Sequence, residues 1–278
     1  MSKGLPDIGD VTTVKIDGVN IRFARSGKSD GIPVLLTSPW PESIYAFRGV
    51  IPALNVNGPV IAVDLPGFGR SESRPDLMSP MGMGEFVVKL AAHFQIERMH
   101  AVGPDVGTLA LLFASVRKPA LFVSMIVGSG AASVELARSG LRDLIGSPVG
   151  YFANVEGGEA AVKFITDSAA VKTPEAVLED YRLSSAGRRF EEATNFVRAY
   201  ARELPRLKTH LPMIRTPVLI LAGRQDPIVP PANGQFLADH LPNCRYTLLE
   251  GGHLIWEDAA PAYASHVSEW INGGFRAA

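Results

Sequence analysis

Six short, mostly apolar runs stopped by turn residues recur along the chain: IPVLLTS (Ile32 to Ser38), PVIAVD (Pro59 to Asp64), RMHAVG (Arg98 to Gly103), LFVSMIVG (Leu121 to Gly128), PVLILAG (Pro217 to Gly223) and RYTLLEG (Arg245 to Gly251). Extended chain that is apolar on both faces belongs in a sheet covered on both sides. Between these runs lie helix-compatible segments: EFVVKLAAHF (Glu85 to Phe94), TLALLFASV (Thr108 to Val116), NGQFLADHL (Asn233 to Leu241) and APAYASHVSEWI (Ala260 to Ile271). The alternation predicts an α/β fold with a mostly parallel, doubly wound sheet. Ahead of it, VTTVKIDGVNIRFARSG (Val11 to Gly27) is β-rich around Asp17-Gly18, a strong hairpin signal, so the chain should open with antiparallel strands.

The alternation breaks between about Ser139 and Lys208, where the sequence is helix-compatible and poor in strand signals. TPEAVLEDYRL (Thr173 to Leu183) predicts a helix with Thr173 as N-cap and Pro174 at its first position. We therefore expect core sequence in 1–138 and 209–278 and a helical lid in 139–208. Long insertions of this kind usually cover a pocket, and 278 residues suffice for one large core with such an addition.

Lysine and arginine total 27 against 28 acidic residues, with no basic cluster, so neither nucleic acid nor an anionic membrane is expected as a partner. A small uncharged substrate is expected instead. Cys244 stands alone, which excludes an internal disulfide and all-cysteine metal sites. No secretory pattern opens the chain, and no apolar run approaches the roughly 20 residues of a membrane span. The expected location is the cytoplasm. Nothing calls for a cofactor or a metal, and the oligomeric state stays open, homodimer included.

Ligands of open α/β sheets bind at the carboxyl ends of the strands. Three candidates fall there: Asp105 in VGPDVGTLA, Asp226 in GRQDPIVP and His253 in EGGHLIWED. Each alone reads as a turn residue or a loop histidine. Together, each after an expected strand, they follow the nucleophile–acid–histidine order of α/β hydrolases. Gly103 and Gly107 would let strand and helix approach at a strained elbow. The other histidines (His93, His100, His210, His240, His266) lack matching partners and read as structural.

A carboxylate needs no general base to become a nucleophile. On saturated carbon it leaves an alkyl ester, which His253, oriented by Asp226, would hydrolyse through a deprotonated water. The ester's oxyanion needs backbone donors, expected from Val106 and from Trp40 in SPWPES. Pro41 biases Trp40 toward an extended backbone.

PWPESIYAFRGVIPAL (Pro39 to Leu54) resembles the oxyanion-loop region of soluble epoxide hydrolases, normally H-G-F-P-E-S followed by a tyrosine, an arginine and I-P-A-L. VIAVDLPGFGRSESRP (Val60 to Pro75), the aspartate elbow and the Asp226 and His253 turns continue the likeness, more weakly through the lid. It implies an α/β-hydrolase fold and attack by Asp105 on an epoxide carbon, or on a halide-bearing carbon as in the related haloalkane dehalogenases. It also implies two lid tyrosines that assist ring opening. Tyr151 matches the first; Val197 stands where the second belongs, leaving Tyr200 one helical turn away. Tyr181 is expected only to pack. Ser38-Pro39 replaces the family's His-Gly, and Pro104 its polar residue before the aspartate. The dehalogenases carry a halide-gripping tryptophan after the aspartate, where this chain has Val106; Trp40 and Trp256 are the remaining indoles near the expected site. Epoxide hydrolysis ranks first, dehalogenation second, and a silent binding protein third. Serine-type esterase or C–C hydrolase activity ranks last, since no serine occupies the elbow.

Overall fold

The computed structural model describes residues 4–277. Its strands are β1 (Asp10–Ile16), β2 (Val19–Gly27), β3 (Val34–Thr37), β4 (Pro59–Val63), β5 (Met99–Pro104), β6 (Phe122–Gly128), β7 (Val218–Gly223) and β8 (Cys244–Leu249). They form one sheet in the order β1-β2-β4-β3-β5-β6-β7-β8. The β1–β2 and β2–β4 pairs are antiparallel; from β4 to β8 the neighbours are parallel. The opening hairpin turns on Asp17 and Gly18, both at positive φ (49° and 84°), as a two-residue turn matched to strand twist requires.

Helices α1 (Ile51–Leu54), α2 (Pro80–His93) and α3 (Val106–Arg117) link the first strands. Five more lie between β6 and β7: α4 (Ser139–Gly146), α5 (Gly157–Ser168), α6 (Glu175–Ser185), α7 (Arg189–Arg198) and α8 (Tyr200–His210). The chain ends through α9 (Ala232–His240), α10 (Ile255–Asp258) and α11 (Ala260–Ile271).

Alternate residues of the central strands enter different apolar clusters. Leu35, Ala101, Met125 and Val127 pack on one face with α2 and α3, whereas Val34, Leu36, Val102 and Ile126 pack on the other with α1 and α11. Burial on both faces is why these strands read as unbroken apolar runs. The sheet order reverses at β3: the chain first adds β4 on one side, then crosses to β5 on the other. Such a reversal opens a crevice beyond the strand ends. The loops carrying Trp40 and Asp105 leave β3 and β5 into that crevice. Among the described residues no helix is long and apolar enough to cross a membrane.

One helix start differs from expectation. The N-cap of α6 is Pro174, without a side-chain cap. Thr173 is buried, and its hydroxyl turns 3.5 Å from Glu257 Oε2 instead of capping the helix.

Candidate active site

Asp105 joins β5 to α3 with φ 51° and ψ −121°, a backbone conformation that side-chain-bearing residues rarely adopt. The turn is tight. A Cβ on Gly103 would lie 2.8 Å from the Gly107 carbonyl oxygen, so glycine is needed for strand and helix to meet. Asp105 N–H donates to the Gly128 carbonyl at 3.0 Å. Thr108 binds the same segment, its Oγ1 lying 3.0 Å from the Gly103 and Gly128 carbonyls and accepting from Gly128 N–H at 2.9 Å. These bonds hold the elbow against β6.

The two Asp105 oxygens are in different surroundings. Oδ2 accepts from Trp40 N–H at 2.8 Å, and Val106 N–H also donates to the carboxylate. Oδ1 lies 3.9 Å from His253 Nε2, beyond hydrogen-bond range. The side chain keeps 15% of its surface open, toward a cavity. Burial raises the Asp105 pKa above the ordinary carboxylate value, although His253 and the Trp40 and Val106 N–H groups pull the other way.

Asp226 Oδ2 lies 2.8 Å from His253 Nδ1, and Asp226 Oδ1 accepts from the N–H groups of Ile228 and Val229 at 2.8 and 2.9 Å. Burial alone would lower the His253 pKa. The Asp226 carboxylate, aided by Asp105, outweighs it and raises the pKa. Asp105, Asp226, His253, Trp40 and Val106 thus converge from four loops and turns that the sheet brings together.

The cavity measures about 560 Å³ and lies between the sheet and the helices inserted after β6. Leu141, Leu144, Phe164, Phe190 and Val197 line it from the insertion, and Pro41, Ile228 and Val229 from the core. Tyr200 also lines it, 3% exposed. Burial, followed by the Asp105 charge, pushes the Tyr200 pKa well up, so the phenol stays protonated. Tyr151 is not in this wall. It is 67% exposed and packs edge-on against Phe152, whose other neighbour Phe190 is the ring that reaches the cavity. The expectation that Tyr151 faces the substrate fails because its segment of the insertion lies on the outer surface.

Of the two indoles, Trp40 packs at a tilt against Phe190 with ring centroids 5.2 Å apart, its Nε1 buried and unpartnered. Trp256 Nε1 is committed to the buried Glu42 carboxyl at 3.0 and 3.2 Å. Sequence reasoning missed Glu42 and Glu257. The signal was two glutamates flanking candidate site loops, but their contact joins positions 215 residues apart. Tyr181 does more than pack: fully buried, it donates its hydroxyl to Glu257.

Residues 32–260 match the family model described as the alpha/beta hydrolase fold. An uncharacterized hydrolase, YugF of Bacillus subtilis, is 26% identical over 276 residues, covering 95% of this chain and 98% of its own. A soluble epoxide hydrolase from Corynebacterium sp. is 35% identical over 100 residues, which is 36% of this chain and 34% of that one. The crystal structure of haloalkane dehalogenase DbeA from Bradyrhizobium elkani superposes with a TM-score of 0.82 at 22% identity, covering 96% and 99% of the two chains. Family match, sheet order and the histidine–acid turns agree, and the chain belongs to the alpha/beta hydrolase fold family.

Proposed function

We propose that this protein hydrolyses small epoxides to vicinal diols through an ester on Asp105. The observation that carries the reading is the setting of one carboxylate: Trp40 N–H donates to Oδ2 at 2.8 Å, Val106 N–H also donates to the carboxylate, and Oδ1 stands 3.9 Å from His253 Nε2 in a side chain that borders the cavity. Oδ1 attacks an epoxide carbon, the ring C–O bond breaks, and the ring oxygen takes the Tyr200 proton. Water then attacks the ester carbonyl as His253 Nε2 accepts its proton, and the oxyanion forms on Oδ2 against Trp40 and Val106 N–H. Collapse expels the second diol oxygen, protonated by His253. The last water proton, left on the regenerated Asp105 carboxyl, returns to the Tyr200 phenolate through solvent. Residues 139–208 act as the lid that keeps this exchange away from bulk water. No cofactor enters these steps.

Haloalkane hydrolysis would use the same ester, and the unpartnered Trp40 Nε1 speaks for it. Against it, Val106 follows the aspartate and the Trp256 N–H is already bound. Tyr200 is a proton donor that an epoxide alkoxide needs and a halide does not. A parallel screen of aryl epoxides and haloalkanes, reading diol and halide separately, should give diol. Halide without diol would shift the assignment to dehalogenation, and no product from either class would support a binding protein.

A further inference from the structure

Behind the Asp105 pocket, two carboxyl groups are buried in contact. Glu42 is 0% exposed, follows Trp40 by two residues and lies within hydrogen-bonding reach of Glu257. Its two oxygens share one further donor, Trp256 Nε1. Glu257, its side chain 1% exposed, takes a two-pronged contact from Arg48: Nη1 to Oε1 at 2.7 Å and Nη2 to Oε2 at 2.8 Å. Tyr181, from the insertion, donates to Oε1. The charged groups around the Glu42–Glu257 pair are Asp258 from α10, which faces Glu257, Arg48 from the segment before α1, and Asp105 from the elbow, which faces Glu42; Tyr181 is neutral. One guanidinium cannot neutralise two touching carboxylates with a third charge near by. Burial, followed by the Glu257 charge, holds the Glu42 carboxyl in its protonated form.

We infer that a proton shared between Glu42 and Glu257 fastens the oxyanion loop to the histidine segment, so that Trp40 N–H and His253 stay in register over the Asp105 ester. Glu42 sits beside Trp40 in sequence, and its partner Trp256 packs edge-on against His253 with ring centroids 5.6 Å apart. Glu42 is thus a positioning residue, and its role rests on the reading of Asp105 as nucleophile. Losing the proton would leave Glu42, Glu257 and Asp105 facing Arg48 alone and push the two loops apart.

A folding measurement tests the proton without using activity. Folded protein would hold one proton that the unfolded chain, with a glutamate pKa of about 4.3, releases, so this contribution to stability falls as pH rises. Glu42→Gln keeps an acceptor for Trp256 and a donor for Glu257 but cannot ionise. Above about pH 5.5 the unfolding constant of the wild type, divided by that of the Gln variant, should rise with pH, by about tenfold per pH unit for as long as folded Glu42 keeps its proton. A ratio independent of pH overturns the proposal. Should the variant not fold, infrared spectra of the wild type decide. A protonated-carboxyl C=O band that shifts on ¹³C-glutamate labelling is expected at neutral pH, and its absence overturns the proposal. The positioning role predicts that decay of a styrene oxide adduct on Asp105 slows at alkaline pH in the wild type and not in the Gln variant. Coincident profiles remove that role. If neither protein forms an adduct, the Asp105 reading fails, and the folding ratio still decides the proton.

Discussion

Asp105 Oδ2 lies 2.8 Å from Trp40 N–H, the position in which the oxyanion of the proposed ester would form. Preorganised donors are effective because nothing must reorient as charge develops. On the proposed mechanism Oδ1 is the attacking atom and leaves with the product. In a single turnover in ¹⁸O-water with enzyme in excess, the diol should carry no label and the Asp105 peptide should gain it; label in the diol alone would mean direct attack by water. His253→Gln should leave alkylation largely intact but stall hydrolysis, so an adduct accumulates on the Asp105 peptide. Tyr200→Phe should slow ring opening on the order of 10²-fold, because an alkoxide leaves poorly without its acid. Tyr151→Phe should match the wild type, since that hydroxyl lies on the outer surface. Equal loss in both tyrosine variants would refute the assignment of Tyr200 as sole donor.

Among the elements, α6 ties the insertion to the core. Asp180 accepts from Arg22 Nη1 and Nη2 at 2.7 and 2.9 Å and from the Ser43 hydroxyl at 2.6 Å, while Arg22 Nε donates to the buried Asp64 at 2.6 Å. Removing one member of a buried ion pair strands the other. Asp180→Ala should therefore cost about 3 kcal/mol of unfolding free energy in a urea titration. Lys163 and Asp167, 77% and 60% exposed, form a surface pair whose loss should cost no more than about 0.5 kcal/mol. Comparable losses would show that α6 is not the joint. None of this was readable in advance, and the reason is physical. Strands and helices are announced by local periodicity, so the β3 to β8 runs, the Asp17-Gly18 hairpin and the Asp105 elbow were visible along the chain. The Arg22–Asp180 and Glu42–Trp256 contacts join residues 158 and 214 positions apart, and no local pattern encodes such pairs. Tyr151 misled for the same reason: its sequence neighbourhood matched a family segment, but its exposure depends on how that segment packs on Phe152 and Phe190. Thr173 likewise had a cap's sequence context, and a buried acceptor on another element claimed its hydroxyl.

Taken as a whole, the molecule places the proposed chemistry and a buried histidine at opposite ends of a single strand. β5 delivers Asp105 from its carboxyl end, while His100 lies near its opposite end, hydrogen-bonded through Nδ1 to Ser124 Oγ at 2.8 Å and packed near Phe275. Burial, helped by the neighbouring Arg98 charge, depresses the His100 pKa to about 4. The unfolded chain, with an ordinary histidine pKa of 6.5, binds that proton more readily. The sign is then fixed: stability is complete above pH 6.5, declines as pH falls below it, and reaches its full loss near the folded pKa. A shift of this size corresponds to about 3 kcal/mol. Other groups titrate in the same window, so the comparison must be with a variant that differs only here. His100→Gln cannot take up the proton. At pH 7 it should be less stable than the wild type through imperfect packing, and that deficit should shrink, or reverse, at pH 4.5, as read from urea midpoints. Because His100 is at the far end of the strand from the elbow, the pH profile of Asp105 alkylation in the folded protein should be the same in both. A deficit that stays constant with pH would mean that His100 takes up its proton as readily in the fold as in the unfolded chain, and that any acid sensitivity resides elsewhere.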